Sequence, residues 1–386
     1  CMAEPTGRWR SRRADALGGR WAVGADASHP NVDSWRLALA RAIVARKGCR
    51  ERLGTITHRR WKALAWGACL MLLAPLAWAK EDLAPLRAEF ALPNDRVDYA
   101  EAKLVVDRLI DPSTDVAAVK RELERWEQAV RTNVPANPTP RQVLDALLKT
   151  LYEPGYWNQE HPFTYDLNDP LGQDAKTKQL ANYLATRKGN CVSMPILVAI
   201  LGQRLGLPIA LATAPHHVLV KFADDVQQTW LSVEATAGGF KWDSSYERET
   251  GITPKAIENE LYLRPLLPHE GVGVIAGTLM EHYGAQKDGD SLLEVTDLAL
   301  SANPKDPVAL VWKANAYYLQ LQQRYVSKYP NAADIPVARV SDFQRLSREN
   351  LAWFIKAEEL GWVQKTPEQE ATYLQSIQLE KAKRKQ

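Results

Sequence analysis

Sulfur and phenylalanine are scarce in this chain: among 386 residues there are only 4 Cys, 4 Met and 6 Phe. So few cysteines exclude a disulfide-dense miniature and a Cys-rich zinc fold. Apolar runs are short as well, and the nearest candidate for a span, Ala63 to Ala79, contains Pro75 and falls below the roughly 20 residues a membrane helix needs. Neither sign of charge dominates, with 49 Lys plus Arg against 46 Asp plus Glu. The apolar share of 46% is ordinary, so collagen, a long coiled coil and full disorder are excluded. What remains is a soluble, mostly folded protein, long enough for two or three domains.

The charge balance hides an uneven start. Through Arg60 there are 13 Lys plus Arg against 5 Asp plus Glu in Arg-, Ala- and Gly-rich sequence without periodicity, and residues 1–56 are expected to stay unfolded or to derive from an upstream start before about Leu53. Arg59-Arg60-Trp61-Lys62, the short apolar run and Ala77-Trp78-Ala79 make residues 57–79 a secretory signal peptide. The chain is therefore expected to be exported, periplasmic or secreted, without a permanent span. Beyond the cut 35 basic residues face 41 acidic ones, so the case for a nucleic-acid partner disappears. Cys1, Cys49 and Cys69 precede the cut, which leaves Cys191 alone. An unpaired thiol in an oxidising compartment is either buried or used.

The rest reads as a helical lead-in (80–140), a mixed centre (141–265) and a helical tail (275–386). Val116, Val119, Leu123, Trp126 and Val130 form one helical stripe. A second helix is expected from Pro140 to Leu151, capped by Thr139, and another near Asp174 to Arg187. Cys191 to Leu205 is apolar nearly all round, marking a buried helix that ends at Gly206-Leu207-Pro208. Three strands follow, Ile209 to Thr213, His217 to Phe222 and Thr229 to Val233, with Asp224-Asp225 as the turn of an antiparallel pair. In the tail, LALSANPKDPVALVWKANAYYL (Leu298 to Leu319) resembles a tetratricopeptide junction, followed by a loop over 327–338 and a return helix from Ser347 to Leu360. Two such repeats cannot bury their own faces, so they are expected to dock on the centre and to offer a surface to a protein partner.

A thiolate nucleophile is favoured at a helix N-terminus beside an imidazolium. Cys191 follows Gly189-Asn190 at such an address, His217 heads a strand, and Glu234 ends the next strand before Ala237-Gly238-Gly239. Cys, His and acid in that order make a coherent triad. The segments GNCVSMPILVAILGQRLGLPI, PHHVLVKF and WLSVEATAGG resemble the transglutaminase-like superfamily, the circularly rearranged relatives of papain. The resemblance implies an α+β fold with a papain-related core, and catalytic roles for Cys191, His217 and Glu234. Glu replaces the more usual Asp, and Pro195 blocks the helical bond to the Cys191 carbonyl, so the helix is expected to start late or bend.

Trp157, Asn158 and Asn190 are candidates for the cleft, with the Cys191 amide and Asn158 as oxyanion donors. His216 is expected to point away from His217, its strand neighbour. A metal site built from His216, His217, Asp224 and Asp225 is the weaker reading, and no cofactor is expected. Cysteine acyl chemistry on a peptide, isopeptide or cell-wall amide is the expected activity. The rival is a non-catalytic envelope scaffold that recruits a partner through its tail.

Overall fold

The computed structural model describes residues 82–383, so the expected leader and Cys1, Cys49 and Cys69 lie outside the described residues. The lead-in comprises α1 (Ala84–Phe90), α2 (Tyr99–Ile110) and α3 (Val116–Asn133). Asp98 caps α2, accepting from Ala100 N at 2.7 Å, and the α3 stripe buries Val119, Leu123, Trp126 and Val130. Helix α4 (Pro140–Tyr152) opens on the full capping box of Thr139 and Gln142.

The centre departs from expectation at the segment before Cys191. Instead of one helix over 174–187 there is a 3₁₀ turn, Ala175–Lys178, then α5 (Leu180–Thr186). Asp174 caps the turn, and Gln179 is extended. Asp107 of the lead-in starts the second helix by accepting from Leu180 N at 2.8 Å. The strands β1 (Thr164–Tyr165) and β2 (Lys188–Gly189) pair in parallel, Tyr165 opposite Gly189. Helix α6 (Ser193–Arg204) is buried on nearly all sides.

An antiparallel sheet then runs in the order β3 (Ile209–Ala214), β4 (His217–Asp224), β5 (Thr229–Glu234), β6 (Gly239–Phe240). The register pairs Ala214 with His217 and Val220 with Val233. Alternation along the strands therefore puts His217 and Glu234 on one face. Helices α7 (Asp243–Thr250) and α8 (Pro254–Glu258) follow. Asp243 docks α7 on that face, taking Lys221 Nζ at 2.7 and 2.6 Å.

The tail holds α9 (Pro268–Ala285), α10 (Gly289–Ala302), α11 (Pro307–Leu321), α12 (Val337–Leu360) and α13 (Pro367–Lys383). Each of α9, α10 and α11 packs on its successor, and α9 also packs on α2 and β3, so the tail docks on the lead-in as well as on the centre. Helix α12 starts ten residues before the expected Ser347, because Ile335 and Leu346 close a small core with Leu321 and Tyr325 and draw that segment in. The principal core is continuous and draws residues from Leu83 to Ala357. Among the described residues no helix is long and apolar enough to cross a membrane.

Candidate active site

Cys191 owes its position to a proline. Met194 N bonds to Asn190 O at 3.1 Å and Ile196 N to Val192 O at 3.3 Å, so the helical ladder already begins at Asn190. Between these rungs Pro195 has no amide hydrogen, and the Cys191 carbonyl is left without its helical donor. It accepts instead from Val218 N at 3.2 Å. The missing rung thus ties the Cys191 backbone to β4, one residue beyond His217. Cys191 itself stands just ahead of the first turn of α6, at the end where the helix dipole favours a negative sulfur. Its amide donates to no acceptor within the described chain, which suits it to an oxyanion.

Gly189, just upstream, has no room for a side chain. A Cβ there would lie 2.4 Å from the Tyr183 ring.

His217 enters from the β3–β4 hairpin, whose two-residue turn is Pro215-His216. His216 is exposed and in the left-handed region (φ 56°), so it is separated from His217 by the turn rather than by strand alternation. The Cys191 thiol lies 3.7 Å from His216 O and within hydrogen-bonding reach of the His217 ring. On the other side His217 Nε2 meets Glu234 Oε2 at 2.9 Å, which leaves Nδ1 to the sulfur.

The carboxylate is fully engaged. Oε2 also accepts from Tyr246 OH at 2.8 Å, while Oε1 accepts from Thr236 N at 3.0 Å and Thr236 Oγ1 at 2.6 Å. The His217 side chain keeps 17% of its surface and Glu234 only 8%, so the imidazole is the member that substrate can approach.

Burial alone would lower the His217 imidazole, but its hydrogen bonds to Cys191 and Glu234, with their negative charge, push it up to about 10. Burial would raise Glu234, yet His217, Thr236 and Tyr246 hold it down to about 2. At neutral pH the pair is therefore an imidazolium and a carboxylate.

The other expected cleft residues serve different ends. Asn158 is fully buried, with Nδ2 donating to Thr150 O (3.1 Å) and Glu153 O (2.7 Å) and Oδ1 accepting from Gly155 N (3.1 Å). It therefore staples its own loop and has no donor left for an oxyanion. Asn190, also buried, caps α6 by accepting from Val192 N at 3.0 Å and Ser193 N at 3.1 Å, while Nδ2 donates to Thr177 Oγ1 at 3.0 Å. It positions Cys191 from behind and does not line the cleft. Trp157 packs over Gly155, under Lys149 and edge-on to Tyr156, an anchor for the same loop.

Asp224 lies at the far end of β4 from His217 and caps its own turn through Val226 N and Gln227 N, so the alternative metal set is not assembled. Among the described residues no group of three or more His, Cys, Asp or Glu is arranged to hold a metal ion.

Tyr246 and Thr236 escaped the sequence reading. One signal was present for Tyr246, the single aromatic residue in the otherwise polar sequence of α7, and it is the side chain that α7 buries.

With this geometry in place, residues 117–249 match the sequence profile described as the transglutaminase-like superfamily. This segment is a transglutaminase-like domain. It contains Cys191, His217, Glu234 and Tyr246, and it reaches back into α3. The match stops short of the helical tail, whose tetratricopeptide resemblance rests on sequence pattern. A curated relative, the UPF0162 protein BU173 of Buchnera aphidicola subsp. Acyrthosiphon pisum (strain APS), is 26% identical over 238 residues, covering 60% of this chain and 83% of that protein. No solved structure matches the chain significantly.

Proposed function

We propose that the transglutaminase-like domain is an exported cysteine-dependent amide hydrolase. The observation that carries this reading is the polar chain from Cys191 through His217 to Glu234, with the Cys191 amide, which has no acceptor among the described residues, beside it. The sulfur attacks an amide carbonyl, and the oxyanion that forms takes a hydrogen bond from the Cys191 amide. His217 Nδ1 then gives its proton to the departing amine, leaving a thioester on Cys191. Water, deprotonated by the same nitrogen, attacks the thioester and releases the acid and the thiolate. Glu234 keeps the imidazole oriented and stabilises its positive form. The leader-like residues 57–79 support export, and hydrolysis is the default fate of a thioester in an aqueous envelope.

The test is covalent trapping by an amide-mimicking electrophile, read at the Cys191 peptide by mass spectrometry. His217→Ala is expected to slow trapping by about 10²- to 10⁴-fold, the range of general acid–base catalysis, and Cys191→Ala to abolish it. Trapping no faster than that of a free thiol and insensitive to His217 would leave the domain a scaffold.

A further inference from the structure

Helix α13 lies outside the segment that matches the superfamily, yet it returns to the site. Its root is fixed at Gly361, the corner after α12. Gly361 has φ 105°, and a Cβ there would lie 2.4 Å from Ala256 N, so only glycine lets this corner sit on α8. Thr253 Oγ1 donates to Gly361 O at 2.9 Å, and Asn259 Nδ2 to Leu360 O at 3.2 Å. Near the start of α13, Gln369 Nε2 comes within 3.7 Å of where a Cβ on Gly251 would be, at the end of the helix that carries Tyr246.

Tyr373 is one helical turn further, about 6 Å along the axis. Its hydroxyl lies 2.8 Å from Tyr165 OH, and both hydroxyls reach Pro170 O, at 3.0 and 2.7 Å. Tyr165 stands opposite Gly189 in the β1–β2 ladder, two residues before Cys191. Within one turn, then, α13 passes from the end of the helix that carries Tyr246 to the strand pair that leads into Cys191. Burial raises both phenols above their ordinary range, with a smaller contribution from Cys191.

The Tyr165–Tyr373 contact is polar, two hydroxyls that also share Pro170 O, and no described side chain of α13 is buried. An element with few buried contacts opens locally at low cost.

We propose that α13 is a movable wall of the Cys191 cleft, latched by the Tyr165–Tyr373 contact, and that Tyr373 sets the size of substrate that reaches the sulfur. A slender extended chain passes beneath the wall, whereas a bulky one requires the latch to open. The proposal rests on Cys191 being the working nucleophile of the reading above.

The test compares two thiol probes on the full chain, iodoacetamide and a maleimide bearing a bulky polyethylene glycol, each followed at the Cys191 peptide. In Tyr373→Phe and Tyr165→Phe the bulky probe is expected to gain about five-fold, the factor that one lost hydrogen bond gives, while iodoacetamide changes less than two-fold. Equal gains for both probes, or none, would overturn the wall. In the unmodified sequence, alkylating Cys191 with the bulky probe is expected to speed amide hydrogen exchange across residues 367–383, and the small probe is not. Unchanged exchange under the bulky adduct would overturn it independently of any variant. His217→Ala separates the two readings. If it slows neither probe, the triad fails and the size ratio between probes still reports on the wall.

Discussion

His217 is gripped from two sides, and the sign of each charge fixes how the site responds to pH. Its raised imidazole contributes stability that is fully present below the ordinary value of 6.5 and is lost as pH rises through about 10. Glu234, depressed to about 2, contributes stability present above 4.5 and lost as pH falls toward 2. Both contributions are complete only between those ordinary values, so the pair is expected to stabilise the fold most from about pH 4.5 to 6.5. Tyr246 OH is the outermost support of this arrangement, touching Glu234 and not the sulfur. In Tyr246→Phe the carboxylate loses one charged hydrogen bond, and the imidazole it steadies is expected to titrate closer to the ordinary histidine range. Nuclear magnetic resonance of the His217 ring reads this directly. A titration unchanged from the parent protein would show that Tyr246 fills space without positioning the acid, whereas a mere loss of packing would shift melting temperature and leave the titration in place.

At the scale of elements, the junction of α6 with β4 decides whether sulfur and imidazole meet. Pro195→Ala restores an amide able to bond the Cys191 carbonyl within the helix, in competition with Val218 N. Helix propensity itself improves with the change. The expected outcome is therefore divergent: global stability is kept or raised, hydrogen-exchange protection at Val218 falls, and Cys191 labelling slows. A variant as reactive as its parent, with Val218 still protected, would show that the proline is incidental to the site. The same junction explains what could be read in advance. The capping of α4 by Thr139 and the interruption at Pro195 are chemistry within four residues, and the strand pair around Asp224 is set by a local turn, so each was legible in the sequence. The order Cys191, His217, Glu234 was legible for the same reason, each residue bounding an element. Asn158 and Asn190 were misassigned because an asparagine that serves backbone groups has the same donors and acceptors as one that serves a substrate. Asp107 capping Leu180, Tyr246 reaching Glu234 and Tyr373 returning to Tyr165 depend on chain reversals that no local pattern encodes.

For the whole molecule, the decisive fact is that lead-in, centre and tail contribute to one core. Helix α9 buries Val272, Ile275, Ala276, Leu279 and Met280 completely, and its Gly271 admits the Tyr99 hydroxyl of α2 so closely that a Cβ would sit 2.5 Å from it. The tail therefore covers surface that the lead-in would otherwise expose, and the lead-in in turn supports α5 and α6 behind Cys191 through Asp107 and the amide of Leu180. A chain built this way should unfold as one unit, although α13, none of whose described side chains is buried, should open first. Tryptophans report on both ends: Trp126 is enclosed in α3, and Trp312 and Trp353 pack in the tail. Leu279→Ala, which empties a site in α9, is expected to cost about 2 to 5 kcal/mol and to lower a single urea midpoint, with fluorescence, circular dichroism and the enhanced reactivity of Cys191 all lost together. Two resolved steps, in which the tail melts and Cys191 keeps its parent reactivity, would instead mean that the transglutaminase-like domain stands without α9, and that the shared core is contact without cooperation.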